Sequence, residues 1–215
     1  SVIPLHSGLV AFVLSDGMGQ NMEAYHESRK VIRLLRECLQ HQMNPETAMH
    51  TLHYVMSLKH HSDLYATVDL ALLDLQQGKL WSFKAGSMST YLLRGKDCVK
   101  IDSQSVPIGF LPTMSVDAEE RIVKAGDILV MLSDGMFSPD YSLEEQENEL
   151  IRLMRKHEST PTASLADLLA AEFNRKYPAA EDDRTLIVVK LKHAVPEWSL
   201  FSPSYRNISR ERMIK

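Results

Sequence analysis

The sequence predicts an α+β fold in which two antiparallel sheets are covered by pairs of helices. The apolar pattern gives the order strand, two helices, several strands, two helices and a last strand. Helices in consecutive pairs are typical of α+β domains, whereas parallel α/β domains alternate strands with helices. Each predicted helix has one apolar face, and a pair of sheets between helical pairs would bury all of these faces.

The first part of the chain predicts one strand followed by two helices. Residues 8–15, GLVAFVLS, form a continuous apolar run of strand length. Residues 24–42 predict an amphipathic helix, because apolar side chains recur at i, i+3, i+4 and i+7. These side chains are Val31, Leu34, Leu35 and Cys38. Asn44 is a cap residue and Pro45 suits the first helical position, which predicts a second, antiparallel helix over 44–58.

The middle of the chain changes to a strand-like pattern of alternating and β-branched apolar residues. The predicted strands are 64–75, 80–87, 90–95, 98–102, 118–124 and 128–133. The first four are separated by short turns, so we expect each to pair with its neighbour in a β-meander. Residues 105–112, SVPIGFLP, contain proline and glycine and predict a loop.

The last part of the chain predicts two helices and a closing strand. Residues 142–157 and 164–177 have the apolar period of amphipathic helices. Ser142 and Glu145 have the spacing of a capping box at the start of the first of these helices. Residues 184–192, RTLIVVKLK, predict the strand.

The length of 215 residues fits one domain, or one domain plus an appendage. We expect the domain over residues 1–193. Residues 194–215 show no clear period and predict an extension that packs on the domain, or on a partner, through Trp198 and Phe201. The chain begins with serine, so we expect a fragment of a longer protein, in which any membrane anchor would lie upstream.

Composition excludes several classes of function. The net charge is −4 and no basic stripe is interleaved with aromatic residues, so we expect no nucleic-acid partner. Two cysteines, Cys38 and Cys98, are too few for a disulfide framework and predict reduced thiols in the cytoplasm. No apolar run approaches the ~18–20 residues that span a bilayer.

The segment LSDGM occurs twice, at 14–18 and 132–136, each time at the end of an apolar run. A third acidic segment, EDDRT at 181–185, precedes the last predicted strand. Hard cations such as Mg²⁺ and Mn²⁺ prefer carboxylate and carbonyl oxygens. Three acidic strand ends on one face of a sheet would therefore form a divalent-metal site.

Two other interpretations of these segments are a simple turn and the active site of a phosphohydrolase with an aspartate nucleophile. A single Asp-Gly pair is a common turn dipeptide. Phosphohydrolases with an aspartate nucleophile need D-x-D-G, and this chain has Leu14 and Leu132 at the nucleophile positions. The chain also contains no G-x-S-x-G elbow, so the residues indicate no protein nucleophile.

Taken together, these motifs resemble the metal-dependent phosphatases of the protein phosphatase 2C-like (PP2C-like) superfamily, and within it the stage II sporulation protein E family. The motifs in order are SDGMG, AGS, PIG, AGDILVMLSDGMF and DDRT. The resemblance implies a four-layer αββα sandwich of two mostly antiparallel sheets that converge on two Mn²⁺ or Mg²⁺ ions. It implies that the metal ligands are Asp16, the Gly17 carbonyl, Asp134 and Asp182, with Asp183 as a neighbour that could substitute or support.

One part of the family pattern is missing from this chain. Family members have a further acidic residue on a strand upstream of the first Asp-Gly motif, and residues 1–7 contain no Asp or Glu. We therefore expect that the N-terminal strand of one sheet is missing and that the metal set is incomplete.

The resemblance implies hydrolysis of phosphoserine or phosphothreonine on a protein, with Asp16 and Asp134 acting through a metal-activated water. The implied substrate is a phosphorylated anti-sigma factor antagonist, whose dephosphorylation releases a sigma factor during sporulation. The alternative is a catalytically incomplete phosphatase-fold module that binds a phosphoprotein or dimerises. The helices over 24–58 are either a regulatory element that positions Asp16 and Gly17 or a plain covering layer.

Overall fold

The computed structural model describes residues 1–18, 22–58, 65–178 and 183–192, which form nine strands and four helices. The N-terminal half contains β1 (Val2–Pro4), β2 (Leu9–Met18), α1 (Met22–Gln40), α2 (Pro45–Ser57), β3 (Tyr65–Asp74), β4 (Lys79–Ala85) and β5 (Thr90–Arg94). The C-terminal half contains β6 (Asp97–Ile101), β7 (Asp117–Ile122), β8 (Ile128–Leu132), α3 (Leu143–Lys156), α4 (Thr162–Lys176) and β9 (Leu186–Lys190).

The strands form two antiparallel sheets, as the sequence predicts. The first sheet has the order β1-β2-β3-β4-β7 and the second β6-β5-β8-β9. The meander is confirmed for the β3–β4 and β5–β6 pairs. It is wrong between β4 and β5, because β4 pairs with β7 and β5 pairs with β8 in the other sheet.

Gly86 marks the point at which the chain leaves the first sheet for the second. Its φ is +62°, and a Cβ built there would lie 2.5 Å from the Pro107 backbone nitrogen. A side chain at this position would therefore meet the backbone of the 105–112 loop in a conformation that only glycine adopts readily. Ile108 of this loop forms an isolated bridge with Ala66, so the loop is held against β3.

Apolar side chains fill three layers between and outside the sheets, which confirms the αββα arrangement. The outer core of the first sheet joins Val31, Leu35, Met49 and Leu52 of the first helical pair to Val13, Val68 and Leu70. The outer core of the second sheet joins Leu153, Leu165, Leu169 and Phe173 to Tyr91, Leu93 and Val130. The core between the sheets contains Ala71, Leu73, Leu80, Leu92, Leu129 and Met131.

The two predicted helix caps have different outcomes. The Asn44 side chain accepts hydrogen bonds from the backbone N–H groups of Glu46 and Thr47, which confirms the predicted cap of α2. Ser142 precedes α3 but makes no capping hydrogen bond, so the predicted capping box is wrong. Glu145 instead accepts a hydrogen bond of 3.3 Å from the Tyr177 hydroxyl at the end of α4, and that tertiary contact replaces the local one.

The chain ends of the fold leave some predictions open. β1 pairs with β2 at one edge of the first sheet. Whether an upstream strand completes this sheet stays a prediction. The proposed extension at 194–215, with Trp198 and Phe201, lies outside the described residues, so the division at residue 193 also stays a prediction. No helix in the described part of the chain is long and apolar enough to cross a bilayer.

We expect Gly86→Ala to lower the free energy of unfolding by about 2 kcal/mol or more, because a left-handed conformation strains alanine and the Cβ clashes with Pro107. Gly95→Ala is the matched control, since Gly95 has φ +55° but no atom lies within 4 Å of the added Cβ. Urea unfolding of both variants measures the difference. Equal destabilisation would contradict the close approach at Gly86.

Candidate active site

Asp16 lies near the end of β2, on the side of the strand that faces the second sheet. The strand continues through Asp16 and Gly17, which pair with Thr67 and Ala66 of β3. The prediction of a strand end before Asp16 is therefore wrong by three residues, because both residues keep the extended ladder to Met18. Asp16 is half-buried in this position.

Thr67 fixes the backbone of Asp16 from the neighbouring strand. The Asp16 N–H donates to Thr67 Oγ1 at 3.1 Å, and the same hydroxyl donates to the Asp16 carbonyl at 3.4 Å. These contacts add to the ladder hydrogen bonds, and Thr67 itself is 9% exposed. The backbone that carries the Asp16 carboxylate is thus held to β3 both by the ladder and by the Thr67 side chain.

Asp134 follows the buried strand β8 after one intervening residue, Ser133, and opens a single 3₁₀ turn over Asp134–Met136. Its Oδ1 accepts a hydrogen bond of 3.0 Å from the Gly135 N–H. The turn is closed by the Phe137 N–H, which donates to the Asp134 carbonyl at 2.8 Å. Gly135 and Met136, the other two residues of the turn, are buried, so Asp134 has a rigid support.

The third acidic segment is attached to the Asp134 turn through Ser133. Ser133 donates its N–H to the Thr185 carbonyl at 3.0 Å and its hydroxyl to the Asp183 carbonyl at 3.2 Å. Its hydroxyl also accepts the Thr185 N–H at 3.0 Å. Asp183 therefore lies in a segment fixed beside Asp134, whereas Asp182 lies outside the described residues.

Arg184 strengthens the same attachment from the other side of the turn. Its Nε donates to the Gly135 carbonyl at 3.0 Å, and its Nη2 donates to the Tyr177 carbonyl at 3.0 Å. The guanidinium thus joins the end of α4 to the residue that follows Asp134. Because these are fixed backbone acceptors, the position of the turn depends on a planar donor with this reach.

The two predicted aspartates meet at one small cavity between the sheets. The cavity has a volume of about 40 Å³. It is lined by Leu14, Asp16, Thr67, Asp69, Gly86, Ser87, Met88, Leu132, Ser133 and Asp134. The acidic strand ends therefore converge from two different sheets, and not on one face of a single sheet as the Asp-Gly repeat alone suggested.

The donor set at this cavity has the chemistry that a hard divalent cation requires. Asp16 and Asp134 carry carboxylate oxygens, and Gly17 has a backbone carbonyl beside Asp16. Within the described ranges, no three His, Cys, Asp or Glu side chains are grouped closely enough to hold an ion alone. The oxygen ligands present are of the kind that Mg²⁺ and Mn²⁺ prefer. Asp182, the remaining predicted ligand, lies outside the described residues.

A buried ion pair beside the cavity was not predicted from the sequence. Lys84 of β4 donates to Asp69 Oδ2 at 2.7 Å and to the Met88 carbonyl at 2.7 Å. Thr90 of β5 donates to the same Asp69 oxygen at 2.5 Å. Burial lowers the pKa of the Lys84 ammonium, and the nearby Asp69 carboxylate opposes that shift. The sequence feature that could have indicated this ion pair is Asp69, a charged residue inside the apolar run YATVDLALLD.

A wider recess begins at Asp134 and continues over the loop that follows. Its volume is about 380 Å³. It is lined by Asp134, Gly135, Phe137, Ser138, Pro139, Tyr141, Leu143 and Gln146. The buried Gln146 amide fixes this loop, since it accepts the Ser138 N–H and donates to the Ser138 carbonyl, both at 2.8 Å. The recess gives the candidate site a partly aromatic approach surface.

Comparison with known proteins gives a family match over most of the chain. The family model described as Stage II sporulation protein E (SpoIIE) matches residues 6–192. The chain is 34% identical over 212 residues to stage II sporulation protein E of Priestia megaterium, covering 98% of this chain and 36% of that protein. It is 32% identical over 200 residues to the Bacillus subtilis (strain 168) protein, covering 93% of this chain and 24% of that protein. The chain thus spans only a minor part of both relatives.

Solved structures give the same fold. The PP2C phosphatase domain with a fragment of the regulatory domain of SpoIIE from Bacillus subtilis superposes with a TM-score of 0.82 at 32% identity, covering 91% of this chain and 58% of that chain. RsbX in complex with magnesium superposes with a TM-score of 0.68 at 15% identity, covering 89% and 86%. The second likeness concerns the fold alone.

We expect Ser133→Ala to lower the free energy of unfolding by about 1–3 kcal/mol, because it leaves the Thr185 N–H and the Asp183 carbonyl without their side-chain partner. Urea unfolding measures this difference. Ser28→Ala serves as the control, since among the described residues the Ser28 hydroxyl bonds an exposed carbonyl of its own helix, that of Tyr25, and no distant segment. A Ser133→Ala variant as stable as the native chain would contradict the proposed attachment of residues 183–185.

Proposed function

The chain belongs to the stage II sporulation protein E family of PP2C-like protein serine/threonine phosphatases, and we propose that it hydrolyses phosphoserine or phosphothreonine on a regulatory protein. The observation that carries this proposal is the meeting of Asp16 and Asp134 at one cavity between the sheets. The two residues come from elements of different sheets. Thr67 Oγ1 accepts the Asp16 N–H, and the Asp134 carbonyl accepts the Phe137 N–H that closes its turn.

The metal ligands that we propose are Asp16, the Gly17 carbonyl, Asp134 and Asp182, with Asp183 as a less direct neighbour. A divalent cation at this position supplies positive charge for the phosphoryl oxygens and lowers the pKa of water. The protein's part is to hold the carboxylates in place. Thr67 does so for Asp16, and Ser133 with Arg184 does so for the Asp134 turn.

The hydroxyl groups that line the cavity support water as the nucleophile. Thr67 Oγ1 is engaged with the backbone of Asp16, and Ser133 Oγ with Asp183 and Thr185. Ser87 Oγ accepts a hydrogen bond of 3.4 Å from Lys84. Hydroxyl nucleophiles in enzymes normally have an adjacent general base. Among the described residues, the cavity lining includes no histidine to serve as one.

For the substrate we propose a phosphorylated anti-sigma factor antagonist in the sporulation pathway that the family name indicates. The recess beside Asp134, with Phe137 and Tyr141 in its lining, supports a protein substrate because it could receive the segment that carries the phosphoryl group. We further propose that the domain acts in the cytoplasm and that a homodimer or a membrane-anchored longer protein would be compatible with this role.

The second candidate is a catalytically incomplete module that binds a phosphoprotein or dimerises. One observation favours it: the described residues include no ready group of three metal-ligating side chains. The two candidates differ in the product that they leave. A phosphatase releases inorganic phosphate from a phosphorylated anti-sigma factor antagonist, whereas a binding module retains the intact phosphoprotein.

We expect Asp134→Asn to weaken Mn²⁺ binding by at least about tenfold, because it removes a charged ligand. Calorimetric titration with Mn²⁺ gives the affinity, and Mn²⁺-dependent hydrolysis of p-nitrophenyl phosphate gives the turnover. Asp140→Asn is the matched control, since Asp140 is an exposed carboxylate in the following loop and does not line the cavity. An unchanged isotherm for Asp134→Asn would remove this residue from the site.

We expect the native chain with Mn²⁺ to release phosphate from a phosphoserine-containing anti-sigma factor antagonist, because the proposed cation at Asp16 and Asp134 would lie beside an open recess. Phosphate release is measured over time, and chelation of the metal should abolish it. The control is the same protein with phosphate-free serine. Stable binding of the phosphoprotein without phosphate release, by folded protein loaded with Mn²⁺, would favour the binding module instead.

A further inference from the structure

Asp69 is a carboxylate in the interior of β3, between residues that are fully buried. It is 1% exposed, and its neighbours Val68 and Leu70 are 0% exposed. Its Oδ2 already accepts hydrogen bonds from Lys84 and Thr90. Burial of a charge is costly unless the charge is paired and both oxygens are satisfied. Lys84 and Thr90 together satisfy one of the two oxygens.

The other oxygen of Asp69 has no hydrogen-bond donor among the described residues. Oδ1 is buried and unpartnered. Leaving a buried acceptor unsatisfied costs about 1–3 kcal/mol, and native proteins normally satisfy such atoms with a protein group, a water or an ion. The position of Asp69 therefore indicates an acceptor kept for a group other than the described side chains.

The cavity lined by Asp16 and Asp134 is also lined by Asp69. Its volume of about 40 Å³ has room for an ordered water, which needs about 10–15 Å³ on the same measure. Asp16, Asp69 and Asp134 are not grouped closely enough to ligate one ion directly, since the described residues contain no such group of three. A water between Asp69 and a cation would span the remaining gap.

We propose that Asp69 is a positioning residue whose Oδ1 accepts a hydrogen bond from a water bound to the divalent cation at Asp16 and Asp134. This proposal rests on the metal centre proposed above. Lys84 has two roles in this proposal. Its ammonium binds Oδ2 of Asp69, which leaves Oδ1 for the water, and its positive charge balances the negative charge of Asp69. The carboxylate thus adds an acceptor beside the cation without adding net negative charge to the interior.

A purely structural role is the competing explanation, because the same residues join the two sheets. Lys84 lies on β4 of the first sheet, whereas Thr90 lies on β5 of the second. Single substitutions cannot separate the two roles, since removing one member of a buried ion pair leaves the other charge uncompensated. Removing both charges together can separate them, because such exchanges for apolar residues are often neutral for stability.

The test compares Asp69→Val/Lys84→Met with the native 215-residue chain by two readouts that do not depend on activity. The melting temperature without metal reports the fold, and calorimetric titration with Mn²⁺ alone reports the site. We expect a melting temperature close to that of the native chain and an Mn²⁺ affinity about 10–100-fold weaker, the range for loss of a residue that supports metal ligands. Native Mn²⁺ affinity in the double variant would overturn the proposal.

Three further proteins make the outcome specific. If the valine variant does not fold, Asp69→Ala/Lys84→Met applies the same test with a smaller side chain. Thr90→Val removes a hydrogen bond to Oδ2 only, so equal weakening by Thr90→Val and the double variant would indicate a structural effect and overturn the proposal. Absence of Mn²⁺ binding by the native chain would overturn the metal centre itself. Binding that Asp134→Asn abolishes and the double variant keeps would overturn only the role of Asp69.

Discussion

The packing of the two sheets against each other is the constraint on which the candidate site depends. Asp16 belongs to the first sheet and Asp134 to the turn that follows β8 of the second, so the distance between them is set by the core that separates the sheets. That core is apolar along most of its length and contains Leu73, Leu80, Leu92, Leu129 and Met131. The volume of this core therefore determines whether the Asp16 and Asp134 carboxylates can share a cation, because well-packed cores change little in dimension.

The same interface changes from apolar to polar as it approaches the cavity. Asp69 and Lys84 occupy positions on the strands that elsewhere carry Ala71 and Leu80 toward the second sheet. A dry interface would favour apolar residues here, since a buried ion pair contributes little net stability over an apolar pair of similar volume. The buried Asp69–Lys84 pair thus indicates that function, and not stability, selects polar residues beside the cavity.

The sequence predicted most elements of the fold because local patterns determine them. Helices α1 to α4 have an apolar stripe, and the Asn44 cap has a fixed local geometry. The chain's change of sheet at Gly86 was missed because it depends on the approach of Pro107, which is distant in sequence. Asp16 and Asp134 were identified through their repeated motif, whereas Asp69 has no motif and is recognised only by its burial and its neighbours. Asp182 stays a prediction.

The extended conformation of Asp16 has a consequence for how the sequence of β2 can vary. Leu14 and Asp16 both line the cavity because side chains two positions apart lie on the same face of a strand. Insertion or deletion of one residue between Leu9 and Asp16 would turn the carboxylate toward the helices and bring an apolar side chain to the cavity. We therefore expect insertions and deletions in this family to fall in the turns at either end of the strand. The number of residues within β2 should be conserved.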